Sequence, residues 1–224
     1  MSTILDLKAE QQSTLRRDPY AYSLLARIFV AGMDLFAGKT TTLSKAKLLE
    51  IFAGVPYRVW KVKHYRRMTR RFGDRALVER CEKVGAWARE AQDNELWHLF
   101  VLHEKMKADG EADAWYLTPP IPALMMASYR LFAGLMATLS MRRAFLFNAE
   151  FEDHAEHTYA QLVADHPEWD DQPVEDDVIR TLGGIVAPGA LTTWGDVFRR
   201  IALDEREHMN HSFVFSGRPQ EVAE

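Results

Sequence analysis

The sequence predicts an all-α protein, on three observations. Apolar residues recur at three- and four-residue spacing over long stretches, the mark of helices with one inward face. Glycine and proline gather in a few clusters and divide the chain into blocks far longer than a strand. No run of alternating β-branched residues lies between turn signals. With 224 residues, 47% hydrophobic and 27% charged, the chain has an ordinary globular composition and length enough for a sizeable core. The expected division is an N-terminal segment (1–19), a single helical domain (20–216) and a C-terminal tail (217–224).

The first block, residues 20–37, ends at Gly38. The second, 44–72, follows the Thr40-Thr41-Thr42 cluster with Ser44 as candidate cap and is expected to bend near Pro56. The third, 75–106, stops at Asp109-Gly110, and Thr118-Pro119-Pro120-Ile121-Pro122 breaks the chain after it. The fourth, 123–140, is apolar apart from Arg130 and small hydroxyl residues. The fifth, 141–165, stops before Pro167. A short helix is expected within 173–189, and the sixth block covers 193–213. The first and fourth blocks are greasy but flawed as membrane spans. The first carries Arg27 and Asp34, and the fourth is barely long enough and has Arg130 near its middle. Such helices lie in one leaflet, form a core or, less readily, cross a bilayer.

One cysteine, Cys81, excludes a disulfide framework and any cysteine-rich metal site. A net charge of −4 lacks the electrostatic footprint of a nucleic-acid binder, so no nucleic-acid partner is expected. The second block nonetheless holds a basic run from Arg58 to Arg71. It reads either as a solvated helix face or as a contact for anionic lipid headgroups. The first 20 residues mix acids and bases without an apolar run, unlike a secretory signal or a transit peptide, and a bacterial cytoplasmic origin is expected. For metal chemistry there remain 17 Glu, 15 Asp and 8 His.

Two Glu-x-x-His motifs occur, Glu95–His98 and Glu205–His208. The i, i+3 spacing places both side chains on one helix face, where they can share a metal ion. About 0.6 such pairs are expected from composition alone, so the motif is weak by itself. Its position is more telling. The stripes Val84, Trp87, Ala91, Glu95, His98, Leu102 and Trp194, Phe198, Ile201, Glu205, His208 are otherwise apolar, so each motif interrupts a face that should pack inward. A buried carboxylate costs on the order of several kcal/mol unless paired or metal-bound. A dinuclear centre needs one more Glu from each of two other helices. Glu50, on a stripe with Leu43, Ala53 and Tyr57, is the only acid between Asp34 and Asp74. Glu152 lies on the stripe Phe145, Asn148, Glu152, Ala155, Tyr159. The other acids between Glu150 and His157 read mostly as a solvated face. The expected ligands are Glu50, Glu95, His98, Glu152, Glu205 and His208, a donor set for two iron ions with manganese as the alternative.

These motifs resemble those of the alternative oxidase family, di-iron membrane-associated ubiquinol oxidases. Leu49-Glu50 followed by Ala53-Gly54-Val55-Pro56 resembles the family's Leu-Glu-Thr and later Val-Pro. Asn94-Glu95-Leu96-Trp97-His98 resembles its Asn-Glu-Arg-Met-His, and Phe151-Glu152-Asp153-His154-Ala155 its Leu-Glu-Glu-Glu-Ala. Asp204-Glu205-Arg206-Glu207-His208 matches its Asp-Glu-x-x-His. The resemblance covers about residues 22–213. It implies a ferritin-like four-helix bundle holding two iron ions, with the two apolar blocks as a monotopic anchor on the cytoplasmic face of the bacterial inner membrane. The implied partners are ubiquinol or a related quinol, O2, lipid of one leaflet and, since family members tend to dimerise, a second copy of the chain. By the same resemblance Leu49, Ala155 and Thr158 match quinol-pocket positions, with Arg27 and Asp34 as polar partners. Tyr159 matches a tyrosine implicated in electron transfer, and Asn94 and Asp204 match residues that orient the ligand histidines. The chain departs from the family at His154, at Ala202 and, where a tryptophan is expected, at Val186. A hydroxylase or oxygenase of related fold, acting on a quinone precursor or another apolar substrate, and a ferritin-like iron-handling protein are the alternatives.

Overall fold

The computed structural model describes residues 6–184, 186–187 and 189–223. Among them there is no strand, only an isolated bridge between Pro173 and Thr193. The helices are α1 (Leu7–Arg16), α2 (Leu24–Ala37), α3 (Leu43–Arg70), α4 (Arg75–Asp109), α5 (Ile121–Leu139), α6 (Met141–Asp165), α7 (Asp177–Arg180) and α8 (Trp194–Ser216). The all-α expectation holds.

The local chemistry explains most helix ends. Asp74 caps α4 by accepting from the Leu77 amide. Gly110, at φ 71°, ends that helix in the left-handed conformation that a Cβ disfavours. Thr193 and Asp196 form a reciprocal capping box at the start of α8. Two expectations need correction. Thr42, not Ser44, caps α3: its hydroxyl accepts from the Lys45 amide at 3.1 Å while its carbonyl takes the first helical bond. The N-terminal segment, for which no element was expected, contains α1, capped by Asp6. Its few apolar residues hid it, because α1 is held by polar contacts. Pro56 lies inside α3, which is assigned as one helix through it.

The chain forms two compact units, a terminal one of Met1–Ala46 with Phe145–Glu224 and a central one of Lys47–Ala144. In the terminal unit the buried Tyr159 stacks on Phe198 (6.1 Å), which stacks on Trp169 (4.7 Å). Phe29 of α2 meets Phe147 and Phe151 of α6 edge-on. In the central unit Trp87 of α4 lies against Tyr57 (5.3 Å) and Trp60 (5.8 Å) of α3, and Phe52 packs against Tyr129 of α5.

The two apolar blocks leave much of their apolar surface exposed. On α5, Leu124, Leu131, Leu135 and Leu139 are exposed, and on α2, Leu24, Ile28 and Leu35. Patches of this kind are costly in water and mark contact surfaces. Among the described residues α5 alone is long and apolar enough to cross a membrane, and little of it is buried.

Candidate metal centre

The central unit brings three predicted ligands together. Glu50 comes from α3, and Glu95 and His98 from consecutive turns of α4. Each is buried, and one donor atom from each lies within 4.8 Å of the others. His98 Nδ1 is 3.5 Å from Glu50 Oε2 and 3.6 Å from Glu95 Oε2.

The terminal unit repeats the arrangement. Glu152 on α6 meets Glu205 and His208 on α8, again buried and with donor atoms within 4.8 Å. His208 Nδ1 is 3.6 Å from Glu205 Oε2. The Glu152 carboxylate is oriented from behind: Asn148, one turn earlier, donates to its Oε1 at 2.9 Å and to Ser212 Oγ at 3.1 Å. Ser212 lies one turn beyond His208, so extending the α8 stripe by four residues would have found it.

Each triad can hold a metal ion. Water is excluded, so two carboxylates crowded at this distance repel strongly unless a cation or proton neutralises them. Oxygen and imidazole donors suit a divalent metal ion. Sequence patterning thus located six residues that the fold gathers into two sets of three.

The acidic stretch of α6 corrects the sequence reading. Glu150, Asp153 and Glu156 are buried rather than solvated. Glu150 accepts from the Ser23 amide and hydroxyl at 2.9 and 2.6 Å. Asp153 accepts from Arg17 at 2.7 Å and from the Tyr22 hydroxyl at 2.8 Å. Glu156 accepts from Arg17, from Thr14 at 2.7 Å and from Arg206 Nε at 2.9 Å. Arg206 also reaches Glu10 at 2.6 Å. Helix α1 and the segment after it therefore cover this face with cations and hydroxyls. Burial, reinforced by the Asp153 charge, pushes the Tyr22 hydroxyl well above its usual range, so it stays protonated and donates.

The remaining predicted residues fall as follows. Leu49, Ala155 and Thr158 are buried, and the Thr158 hydroxyl donates to the His154 carbonyl at 2.7 Å. Tyr159 is fully enclosed. Asn94 and Asp204 are buried, and Arg200 donates to Asp204. Arg27 is exposed on α2. Asp34 is ion-paired at 2.6 Å with Lys45, a buried ammonium that also donates to the Gly38 carbonyl at 2.8 Å. Lys45 thus ties the C-terminus of α2 to the start of α3, a role that nothing in the sequence pattern signalled. Burial, helped by the Lys45 charge, lowers the His154 imidazole to about 4, so it is neutral at ordinary pH.

No protein-family model matches the chain, and no curated protein aligns with it significantly.

Proposed function

We propose that the protein binds two iron ions, one at each triad, and that it is a quinol:oxygen oxidoreductase of the alternative-oxidase type, attached to one leaflet on the cytoplasmic face of a bacterial inner membrane. The observation that supports this best is the repetition: each unit buries two carboxylates and one imidazole, with a Glu and a His at i, i+3 and Nδ1 on the carboxylate side. The ordered match of four motifs to that family supplies the reaction class, and the exposed apolar faces of α2 and α5 support the attachment.

Glu50, Glu95 and His98 would hold one ion and Glu152, Glu205 and His208 the other, with iron expected and manganese as the alternative. The bound metal supplies the reduction of oxygen to water with electrons taken from quinol. The chain's own residues do the rest. Their burial keeps bulk water from the donors, which strengthens every charge interaction among them. Asn148 pins one oxygen of Glu152 and so limits how that carboxylate can turn. Tyr159, two turns beyond Glu152 and sealed from solvent, would hold or release a hydrogen atom at its hydroxyl, as its match to the family's tyrosine implies. Leu49 matches a pocket position of that family, and Ala155 and Thr158 would contact the quinol ring. Arg27 and Asp34 would face its polar end, with Asp34 acting through its pair with Lys45.

The test is to purify the protein in detergent, measure iron and manganese per chain, and follow oxygen uptake with a short-chain ubiquinol in the presence of cyanide. Two irons per chain and robust uptake, both lost on Glu95→Ala or Glu205→Ala, are expected. Iron without quinol-dependent uptake would favour the hydroxylase or oxygenase. Iron stored without any substrate oxidation would favour the ferritin-like role. A chain that binds neither metal overturns the reading.

A further inference from the structure

The basic run of α3 and the apolar face of α5 meet within the central unit. Two contacts set their relative direction: Phe52 packs on Tyr129, and Lys63 donates to the Ala137 carbonyl and to the Thr138 hydroxyl. Moving eleven residues along α3 therefore moves eight along α5, and the helices run parallel. Between them lies a groove of about 1150 Å³, beyond the volume usual for a small-molecule pocket.

The groove is polarised. Its early part is lined by Val55 and Val59 from α3 and Met126, Leu131 and Leu135 from α5. Its late part, beside and beyond the C-terminus of α5, is lined by Lys63, Arg66, Arg67, Arg70 and Arg71, and Arg58 and Arg130 flank its length. No acidic residue lines it, and of these cations only Arg71 pairs with a carboxylate among the described residues, Asp74 at 3.4 Å. Burial and the Arg67 charge lower the pKa of Lys63, as expected where positive charge is uncompensated. At Gly134, in the groove wall, an added Cβ would meet nothing within 4 Å.

We propose that this groove binds one anionic phospholipid, with its phosphate among the arginines at the late end of α3 and an acyl chain along the apolar part between α3 and α5. A polyanion such as RNA would use the charge but not the apolar channel. A neutral amphiphile would leave seven cations facing one another. The exposed leucines of α5 place the channel beside surface suited to lipid. The inference shares with the proposed function the premise that the protein meets a bilayer, but it concerns the central unit alone and needs neither metal nor turnover.

The experiment uses the full chain in three forms: wild type, the combined Arg66→Gln, Arg67→Gln, Arg70→Gln variant, and Gly134→Phe. The substituted side chains are exposed or face open space, so all three should fold, which circular dichroism and iron content verify. Vesicle flotation with phosphatidylcholine, alone or with phosphatidylglycerol, and native mass spectrometry of bound lipid are the readouts. Wild type should bind the anionic vesicles at least about tenfold better, since each basic side chain near such a surface contributes roughly fivefold. The triple variant should lose on the order of a hundredfold of that affinity. Gly134→Phe, with charge unchanged, should lose the bound phosphatidylglycerol, and inorganic phosphate should not displace it from wild type. Equal binding to neutral vesicles overturns the proposal, as does retention of lipid by Gly134→Phe or displacement by phosphate. Binding of single-stranded RNA as tight as that of anionic vesicles would overturn it in favour of nucleic acid. Loss of lipid with iron content intact leaves the metal centre unaffected, so the two readings fail separately.

Discussion

Two charged helix faces, one in each unit, look alike in sequence and end in opposite environments. Glu150, Asp153 and Glu156 of α6 are buried, each matched by a cation or hydroxyl from α1, from the segment between α1 and α2 or from α8. The cations from Arg58 on α3 to Arg71 just beyond it stay largely exposed around a groove. From local pattern alone the acidic run reads mostly as a solvated face, and the basic run as either a solvated face or a contact for anionic lipid. The difference lies in what covers them: α6 has a covering segment of opposite charge supplied by the N-terminal part of the chain, and α3 has none within its unit. A charge run on a helix is therefore half of a statement, completed only by the element that packs on it or leaves it bare.

The sharpest way to break the comparison is to remove one covering cation. Arg206→Ala removes one of the two cations on the buried Glu156, which keeps Arg17 and Thr14, and should cost about 1.5–3 kcal/mol in urea unfolding, the range for a lost hydrogen bond to a charged group. A loss below about 1 kcal/mol would mean that the α6 acids are effectively solvated.

Next in size is the pH response of the central unit. Burial, with Arg67 and Lys63 nearby, lowers His64 to about 4 from an unfolded value near 6.5. Between these values the unfolded chain binds the extra proton. The contribution is therefore fully present above about pH 6.5 and is lost as pH falls toward 4, by at most about 3 kcal/mol. His64→Gln should flatten that slope in a stability-versus-pH series, and an unchanged slope would remove His64 as its source.

Metal addition compares the triads directly. Ferrous or manganous ion at a hundredfold over its Kd should stabilise the fold by about 2.7 kcal/mol, and a chelator should reverse the gain. Both Glu95→Ala and Glu205→Ala should abolish the increase in thermal-denaturation midpoint. If only one does, the triads are not equivalent.

The smallest effect is expected on the bare face. Arg66→Ala should change stability by less than about 0.5 kcal/mol, since the side chain is exposed and forms no ion pair among the described residues. A larger loss would show that the basic face is structurally covered after all.

Much of the fold was legible because helix ends are written locally. Asp74, Gly110 and Thr193 mark boundaries by hydrogen bonds and backbone sterics confined to a few residues. The candidate donors were legible because Glu95, His98, Glu205 and His208 interrupt apolar stripes, and Glu50 was isolated on its helix. Helix α1 was not legible. Its stabilising partners, Glu156 and Arg206, lie more than 140 residues away, and no local pattern announces such pairs. Asn148 showed its position but not its role, since its partner Ser212 is 64 residues distant.

The sequence by itself determined that the chain is helical, where most helices stop and which carboxylates and imidazoles share an inward face, because these follow from periodicity and short-range hydrogen bonding. Tertiary structure alone decided which donors lie within reach of one another, that the acids of α6 are sealed and the cations of α3 open, and that the leucines of α5 stay outside a core. Those outcomes depend on which distant segment reaches each face, and burial, which sets the energy of every charge, is a property of that arrangement.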